Sequence, residues 1–402
     1  MLSLHDAQEE LLALAGPVAE VEELNTIEAD GRVLAQEQIA GINVPPMDNA
    51  QMDGYALNCA DLYEGRRFNI SQRIAAGHMP DKLQKGTVAR IFTGAFIPEG
   101  ADAVVMQEQV QSDGQHVSIP HPIQPGEWIR RCGEDIQAGS VILAKGDRLR
   151  PQSLGLAASV GIAKLCVYRR IRVGCFFTGD ELTLPGEPLK PGSIYNSNRF
   201  VLVNMMRRLG CEVEDFGLIA DKLDHTRAAL RDAADRCDLI VTSGGMSVGE
   251  EDHVRPAVEA EGLLRAWQIA IKPGKPLAWG MIKRENRQAH FIGLPGNPVS
   301  SMVTFLLLVQ PFILKLQGQR ECGIKPLFMR ADFDWLKPDK RREFLRVRIN
   351  AQGGLECFPN QGSGVLTSTV WGDGLAEIAP ATPVRQGDSL AYYSFNHWYG
   401  SL

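Results

Sequence analysis

Short hydrophobic runs alternate with amphipathic segments between about residues 170 and 318. The runs have the length and the β-branched or aromatic content of buried strands. They are IRVGCFF, CEVEDFGLI, CDLIV and RQAHFIGL. Amphipathic helices are predicted between them, for example SNRFVLVNMMRRLG, which Gly210 closes at its C-terminal end. The repetition of strand, loop and helix predicts an α/β fold with a doubly wound parallel sheet.

The N-terminal part of the chain follows other patterns. Ser3 and Asp6 form a capping box for a first helix, which is expected to end before Gly16. Residues 66–150 consist of short apolar runs separated by Gly, Pro and Asp, which is typical of a β-rich domain. Residues 151–165 have a helical pattern again, and we expect them to pack on the first helix. The order suggests a β domain inserted into a helical one.

From about residue 325 the chain alternates apolar and polar positions around Gly and Asp turns, as in EFLRVRIN, LECFPN and SLAYYS. This pattern predicts a small β sandwich or barrel. At 402 residues, the chain is too long for one hydrophobic core, and two to four domains are expected.

Charge, cysteine spacing and the length of apolar runs argue against several classes of protein. The net charge is −6, from 42 basic and 48 acidic residues, and this argues against a nucleic-acid partner. The eight cysteines are scattered without metal-binding spacing, as expected for reduced thiols in a cytoplasmic protein. The most apolar run, 303–316, is interrupted by Gln310 and Pro311 and falls short of the ~20 residues of a membrane helix. A soluble protein without a membrane partner is predicted.

Polar loops follow four of the predicted strands. They are TGDE with Asp180 and Glu181, AD with Asp221, TSGGMSVGEED with Asp252, and LPGNP. If the strands are parallel, these loops share one edge of the sheet, where ligands bind. Gly244 and Gly245 would allow a tight turn, and a helix N-terminus behind it would present N–H groups to an anion. Converging carboxylates would need a hard cation such as Mg²⁺.

Each loop alone has a plainer explanation, since a glycine pair can be a simple bend and acids at a helix start can cap it. The shared edge favours a ligand site. Lys272 and Lys275 flank a Pro-Gly turn in KPGKP. They form either a solvated basic turn or, beside the acidic edge, a site for a phosphate-like anion.

For two loops of the N-terminal half, the sequence does not decide between a structural and a functional role. The first, NVPPMDNAQMDGYAL, carries Asp48, Asn49 and Asp53, and the second contains the turn Thr93-Gly94. Spacing alone does not place either loop near the edge of the sheet.

Taken together, these segments resemble the molybdopterin molybdenumtransferases called MoeA, which are related to the gephyrin E domain. The resemblance runs from end to end of the chain. It rests on GRVLA (31–35), PPMDNAQMDGYA (45–56), RIFTGAFIPEGADAVVMQE (90–108), RRCGEDI (130–136), FTGDEL (177–182), SNR (197–199), TSGGMSVGEED (242–252), KPGKP (272–276) and GLPGNPVS (293–300).

The resemblance implies an elongated, multi-domain protomer of α/β plus β type that works as a homodimer. The implied parts are a discontinuous helical domain (1–42 and 134–168), an inserted β-rich domain (43–133), an α/β molybdopterin-binding domain (169–320) and a C-terminal β-barrel (325–402). The active cleft is expected between the α/β domain of one protomer and the inserted domain of the other.

The implied reaction consumes adenylylated molybdopterin and molybdate. The pyrophosphate link is cleaved, AMP leaves, and molybdenum stays on the pterin dithiolate, with Mg²⁺ or another divalent cation as cofactor. Implied partners are the molybdopterin adenylyltransferase and acceptor molybdoenzymes.

The resemblance also implies site residues, each identified by its position within a matching motif. The implied catalytic residues are Asp53, Lys272, Lys275 and Asp252, and the implied metal ligands are Glu181, Asp221 and Asp252. The implied substrate contacts are Thr93, Ser243, Gly244, Gly245, Ser247, Pro295, Asn297, Pro298, Arg346 and Ser363.

Two positions depart from the family pattern. Gln268 stands where a lysine is frequent, and Asn196 stands where an aspartate is common and would change a polar contact to the pterin. Two alternatives therefore stay beside the transferase. One is the adenylyltransferase that shares the S-G-G-x-S loop, and the other is a non-catalytic molybdopterin-binding or scaffold paralogue.

Overall fold

The fold is taken from a computed structural model, which describes residues 1–18, 20–119, 122–245, 253–323 and 325–398. Short strands dominate the first 168 residues. The elements are α1 (Leu4–Ala13), β1 (Val21–Asn25), β2 (Gln38–Ile39), β3 (Asn49–Ala50), β4 (Gly54–Leu57), β5 (Arg67–Ile74), β6 (Val88–Ile91), β7 (Ala103–Met106), β8 (Gln111–Ser112), β9 (His116–Ser118), β10 (Ile129–Arg130), β11 (Val141–Leu143), α2 (Pro151–Ser159) and β12 (Lys164–Tyr168).

The pairing of these strands shows an insertion. A six-stranded sheet in the order β7-β4-β6-β5-β9-β8 lies between two outer pairs, β1 with β12 and β2 with β11. The outer pairs join residues before the sheet to residues after it. The six-stranded sheet is therefore inserted between two halves of the surrounding unit.

Helix α1 begins where the sequence predicts, since Ser3 Oγ accepts a hydrogen bond from Asp6 N at 3.1 Å. Its packing differs from the prediction. Ala7 and Leu11 belong to the same core as the strands after residue 170, whereas Ala157 of α2 belongs to another core. Burying Leu11 there contributes about 2 kcal/mol to holding α1 against this core.

A second region extends from residue 172 to 316. Its elements are β13 (Arg172–Thr178), β14 (Leu182–Thr183), β15 (Ile194–Tyr195), α3 (Ser197–Arg208), β16 (Glu212–Ile219), α4 (Leu223–Arg236), β17 (Leu239–Ser243), α5 (Val254–Glu261), β18 (Gly262–Gln268), β19 (Ile271–Lys272), β20 (Pro276–Lys283), β21 (Gln288–Leu294), α6 (Pro298–Thr304) and α7 (Gln310–Leu316). Strands β13, β16, β17 and β21 fall on the four hydrophobic runs that the sequence marks as strands.

The central sheet is buried on both faces. Along β13, Val173, Cys175 and Phe177 point into one core with α3, whereas Phe176 points into the other with α4 and α5. This alternation follows from the two-residue period of a strand. Helices on both faces explain why β13 is apolar almost throughout.

The sheet is mixed rather than wholly parallel, which corrects the prediction. Its order is β16-β13-β17-β21-β20-β18. The four strands β16, β13, β17 and β21 are parallel, but β20 runs antiparallel to β21 and β18 antiparallel to β20. The segment 269–275, which contains the first four residues of KPGKP, is short enough to join β18 to β20 only as a hairpin.

The apolar run 303–316 lies in a longer helical stretch, Pro298–Leu316, which is long and apolar enough to cross a membrane but is 94% buried inside the fold. The sequence predicts that this run is too short for a membrane helix, whereas the continuous helical stretch reaches 19 residues. A π-helical turn, Phe305–Val309, precedes Pro311. Such a turn is a usual way for a helix to accommodate a residue that lacks a backbone N–H. The stretch is a core helix.

The C-terminal region contains β22 (Leu327–Arg330), β23 (Arg342–Ile349), β24 (Leu355–Cys357), α8 (Thr367–Trp371), β25 (Gly374–Ile378), β26 (Ser389–Ser394) and α9 (Phe395–Trp398). The strands run in the order β23-β25-β26-β22, with β24 on β23. A bridge between Ala331 and Leu355 joins the two ends of this sheet. Strand β19 adds to it in parallel, so the C-terminal sheet holds Lys272 opposite Glu343.

Candidate active site

The carboxyl ends of the four parallel strands meet at one edge, as the sequence predicts. In register, Ser243 pairs with Phe177 on one side and with Leu294 on the other. Strand β20 starts at the same edge, because Ala278 pairs with Gly293. The loops after β13, β17 and β21 and the KPGKP hairpin are therefore neighbours.

A cavity of about 840 Å³ opens at this edge and reaches the C-terminal region. It contains eight of the implied site residues: Glu181, Gly244, Gly245, Lys272, Lys275, Pro295, Asn297 and Ser363. Other implied residues are absent from its wall: Asp53, Thr93, Asp221, Ser243, Pro298 and Arg346. Ser247 and Asp252 lie outside the described residues, as do the other acids of that loop, Glu250 and Glu251.

The Gly244-Gly245 turn shows why glycines are needed at the end of β17. Both residues have positive φ, +94° and +64°. A Cβ on Gly245 would lie 2.4 Å from Val254 Cγ2, at the start of α5. The turn therefore brings α5 close against the end of the strand, and its backbone forms part of the cavity wall.

Ser243 lies behind the wall of the cavity, and its implied substrate contact stays a prediction. Its Oγ accepts a hydrogen bond from Asn198 Nδ2 at 2.8 Å and donates one to the Pro295 carbonyl at 2.9 Å. Asn198 also donates to the Gly296 carbonyl at 2.7 Å. Ser243 is 3% exposed, so it joins the β17 and β21 loops from below.

The two lysines of KPGKP have different surroundings. Lys272 Nζ lies 3.0 Å from Glu343 Oε1 and 3.4 Å from Asp339 Oδ2. The Glu343 carboxylate is buried and also accepts hydrogen bonds from Trp335 Nε1 and Asp339 N. Lys275 is exposed, and within the described ranges it forms no salt bridge. Lys275 therefore keeps its positive charge available to the cavity.

Replacing Lys272 with methionine is expected to lower the free energy of unfolding by about 2 kcal/mol, because the buried Glu343 carboxylate loses its cation. Lys275→Met is the matched control and should change stability by less than about 0.5 kcal/mol. Urea unfolding measures both. Equal stability of the two variants would show that the Lys272–Glu343 pair does not stabilise the fold.

Gly274 lies between the lysines in the tightest part of the hairpin. Its φ is +111°, and a Cβ there would lie 2.3 Å from Thr304 Oγ1. Gly274→Ala is expected to cost roughly 2 kcal/mol through backbone strain and this overlap. Thermal unfolding checks it against Gly323→Ala, where a Cβ would meet nothing within 4 Å. If both substitutions cost the same, close packing of the hairpin is not what requires glycine.

Arg346 is fully buried and does not line the cavity, and its implied substrate contact stays a prediction. Its guanidinium donates to Ser368 Oγ at 3.0 Å and to the Gly362 carbonyl at 3.1 Å. Burial lowers the pKa of this guanidinium to about 10. Gly362 and Ser363 line the cavity, and the Ser363 carbonyl accepts from Val299 N at 3.0 Å. Arg346 thus holds the loop that carries Ser363.

Only part of the implied metal site can be located. Glu181 lies in the cavity wall, and Asp221 follows the end of β16. The buried Oδ1 of Asp221 has no hydrogen-bond partner within the part of the chain that the structure describes. Over the same residues, no three His, Cys, Asp or Glu side chains gather closely enough to hold a metal ion.

Asp53 and Thr93 form a pair in the inserted sheet region. Asp53 Oδ1 accepts hydrogen bonds from Thr93 N and Thr93 Oγ1, each at 2.8 Å. The Thr93 backbone and hydroxyl bonds lower the pKa of Asp53, so the exposed carboxylate stays ionised. Asp48, by contrast, binds Arg131 and the Cys132 amide and has a structural role.

The two departures from the family pattern lie in different places. Gln268 is in the cavity wall beside Trp267. Asn196 is 2% exposed and caps α3, since its Oδ1 accepts from Arg199 N at 3.1 Å. Asn196 therefore acts on helix α3 and is not part of the wall.

Sequence reasoning missed several residues of the wall, among them Trp267, Arg255 and Arg341. The position of Trp267 in the wall could have been predicted from the sequence, because Trp267 directly precedes Gln268 and lies close to KPGKP. Arg341 comes from the C-terminal region and is held by Asp339. Its position depends on long-range packing, which no local pattern reveals.

Family models match three successive parts of the chain. They are described as the MoeA N-terminal region (domain I and II) over residues 2–161, a probable molybdopterin binding domain over 174–315, and the MoeA C-terminal region (domain IV) over 329–395. These matches follow the three regions of the fold.

Relatives that match most or all of the chain agree. A molybdopterin molybdenumtransferase of Haemophilus influenzae is 41% identical over 409 residues, covering 100% of both chains. One of Nostoc is 34% identical over 83% of this chain and 78% of its own. The structure of a molybdopterin biosynthesis MoeA protein from Pyrococcus horikoshii superposes with a TM-score of 0.85 at 27% identity, covering 98% of this chain and 100% of that chain. The chain therefore belongs to the MoeA family.

Proposed function

We propose that this protein is a molybdopterin molybdenumtransferase that inserts molybdenum from molybdate into adenylylated molybdopterin and releases AMP. The name of two relatives, molybdopterin molybdenumtransferase, describes the molybdenum transfer. The observation that carries the proposal is the cavity at the sheet edge, where the Gly244-Gly245 turn, the Pro295–Asn297 loop and Lys275 converge. A glycine-lined wall with the exposed cation of Lys275 suits a large anionic substrate such as a pterin joined through pyrophosphate.

The residues of the cavity would act by charge and position. Lys275 is proposed to stabilise negative charge on the leaving AMP or on the incoming molybdate. Asn297 and Ser363 offer polar groups to the same anion, and Arg346 and Ser243 hold the loops that carry the wall. Pyrophosphate cleavage depends mainly on such positioning and electrostatic stabilisation.

A divalent cation such as Mg²⁺ is proposed as cofactor. Glu181 and Asp221 provide hard oxygen donors at the sheet edge. Asp221 Oδ1, which has no hydrogen-bond partner among the described residues, suits metal ligation. Asp252 is proposed as the third carboxylate. The bound cation would neutralise the pyrophosphate charge and polarise its phosphorus.

Asp53 and Thr93 are proposed to complete the site from the second protomer of a homodimer. Neither residue lines the cavity of its own chain, yet the Asp53 carboxylate is exposed, ionised and held in place. An isologous dimer would place each Asp53 at the partner's cavity. Asp53 would then orient the metal, molybdate or water.

Mixed dimers test this arrangement. A heterodimer of Asp53→Asn and Lys275→Met protomers, purified through two different tags, keeps one intact site if the site is shared. We expect about half of the wild-type activity from it, and almost none from either variant homodimer. An inactive heterodimer would place Asp53 and Lys275 in the same protomer's site.

Domain boundaries are proposed at 1–42 with 134–168, 43–133, 169–320 and 325–402. The pairing of β1 with β12 and of β2 with β11 supports the discontinuous first unit. Helix α1 then belongs to this first unit but packs on the third unit, 169–320. A cytoplasmic location is also proposed, supported by eight cysteines without a disulfide.

The direct test of the proposed function is AMP release. Wild-type protein is incubated with adenylylated molybdopterin, omitting molybdate or Mg²⁺ in turn, and AMP is quantified by chromatography. We expect release only when both are present. AMP formation that does not respond to molybdate would contradict the proposal. ATP consumption with molybdopterin would instead indicate the adenylyltransferase.

Gln268 in the cavity wall is the observation that favours the second candidate, a non-catalytic binder. The cavity there carries a neutral amide where the family resemblance implies a frequent lysine. Tight binding of adenylylated molybdopterin without AMP release, even at high molybdate, would support the binder. Gln268→Lys would then be expected to restore release.

A further inference from the structure

Arg90 connects three parts of the turn that carries Asp53. Its Nη1 donates a hydrogen bond to the Gly54 carbonyl at 2.9 Å, and its Nη2 donates to Gln107 Oε1. The backbone N–H of Gln107 in turn donates to the Asp53 carbonyl at 3.0 Å. The guanidinium thus reaches the residue after Asp53 directly and Asp53 itself through Gln107.

Two aromatic rings fix the guanidinium. Its Cζ lies 5.1 Å from the centre of the Tyr55 ring and 4.7 Å from that of Phe92. Tyr55 follows Gly54, and Phe92 precedes Thr93, whose N and Oγ1 both donate to Asp53. Cation–π contacts on both strands hold the planar group where its two hydrogen bonds are satisfied together.

We propose that Arg90 is a positioning residue for Asp53, holding the Asp53–Thr93 pair in the geometry that catalysis requires; this rests on the proposed function. The positive charge of Arg90 also contributes to lowering the pKa of Asp53, after the two Thr93 hydrogen bonds. Arg90 does not line the cavity, so we expect its effect to pass through Asp53.

The test compares Arg90→Gln, Arg90→Lys and, as a matched control, Arg73→Gln. Arg73 also packs on the Phe92 ring, at 4.6 Å, but among the described residues it has no hydrogen bond to the Asp53 turn. For Arg90→Gln we expect kcat for AMP release to fall by about 10²-fold, as for a displacement of about 1 Å, with KM changed less than about threefold. Arg90→Lys should recover part of the loss, because it keeps the charge but not the two-pronged bonding.

Hydrogen–deuterium exchange of the segment 90–96 gives a readout that does not need activity. The Thr93 amide should exchange faster in Arg90→Gln and at the wild-type rate in Arg73→Gln. An active wild type with unchanged kcat in Arg90→Gln, or an equal loss in Arg73→Gln, would overturn the inference. An inactive wild type would refute the proposed function, and unchanged exchange at Thr93 would then separately refute the role of Arg90.

Discussion

Asp53→Asn is expected to reduce molybdate-dependent AMP release by about 10²- to 10⁴-fold, the range for a positioned acid–base or orienting group. The asparagine Oδ1 can still accept the two Thr93 hydrogen bonds, so the turn should keep its shape. What is lost is the negative charge, which the site would use to orient the metal, molybdate or water. Steady-state kinetics with purified protein measures the change.

Asp81→Asn is the matched control, because it removes an exposed carboxylate from the same region. It should leave the rate unchanged. Circular dichroism should show both variants folded, with melting temperatures close to the wild type. Near-wild-type turnover in folded Asp53→Asn would remove Asp53 from the mechanism and leave the cavity residues to account for it alone.

Lys275→Met is expected to lower kcat/KM for adenylylated molybdopterin by about 10²-fold, similar to the loss of one charge-stabilising group at an oxyanion. Lys275 lines the cavity and forms no salt bridge within the described part of the chain, so its charge serves no fold contact seen there. The cost should therefore appear in catalysis and not in stability. Kinetics at several molybdate concentrations checks this.

Lys283→Met provides the control for Lys275→Met. Lys283 ends the strand β20 that begins at Pro276, directly after Lys275, and is exposed at the opposite edge of the sheet. Its loss should change kcat/KM less than about twofold, since surface charges distant from a site are screened by salt. Equal effects of the two substitutions would show a general charge effect and not a specific role for Lys275.

The sequence was sufficient to locate the edge of the sheet because that inference uses a local pattern. Hydrophobic runs defined β13, β16, β17 and β21, and the parallel arrangement alone brings their carboxyl ends together. The direction of β18 and β20 was missed, since an apolar strand has the same pattern whether its neighbour is parallel or antiparallel. The hairpin that carries both lysines was therefore anticipated as a turn but not as part of the same sheet.

The resemblance named residues, but it did not distinguish those on the cavity wall from those behind it. Ser243 and Arg346 are buried and hold loops by hydrogen bonds to the Pro295 and Gly362 carbonyls. Such second-layer roles depend on side-chain direction and on contacts between distant segments. The helix 298–316 shows the same limit, because the π-helical turn that accommodates Pro311 has no signature in the hydrophobic pattern.

Arg90 illustrates what geometry adds. In the sequence it is only the first residue of RIFTGAFIPEG, and its charge has no evident purpose. In the fold it lies between Tyr55 and Phe92 and links Gly54 to Gln107. These contacts join strands β4 and β6 to the turn after β7. The position of Asp53 therefore depends on packing between separate strands of the sheet.

The measurement that tests molybdenum transfer most directly is the molybdenum content of the pterin product. Protein, adenylylated molybdopterin, molybdate and Mg²⁺ are incubated without oxygen, and the pterin is separated and analysed for molybdenum by mass spectrometry. We expect about one molybdenum per pterin, appearing together with AMP and absent with Asp53→Asn. AMP release that leaves the pterin free of molybdenum would show a hydrolase of the pyrophosphate link and contradict the transferase.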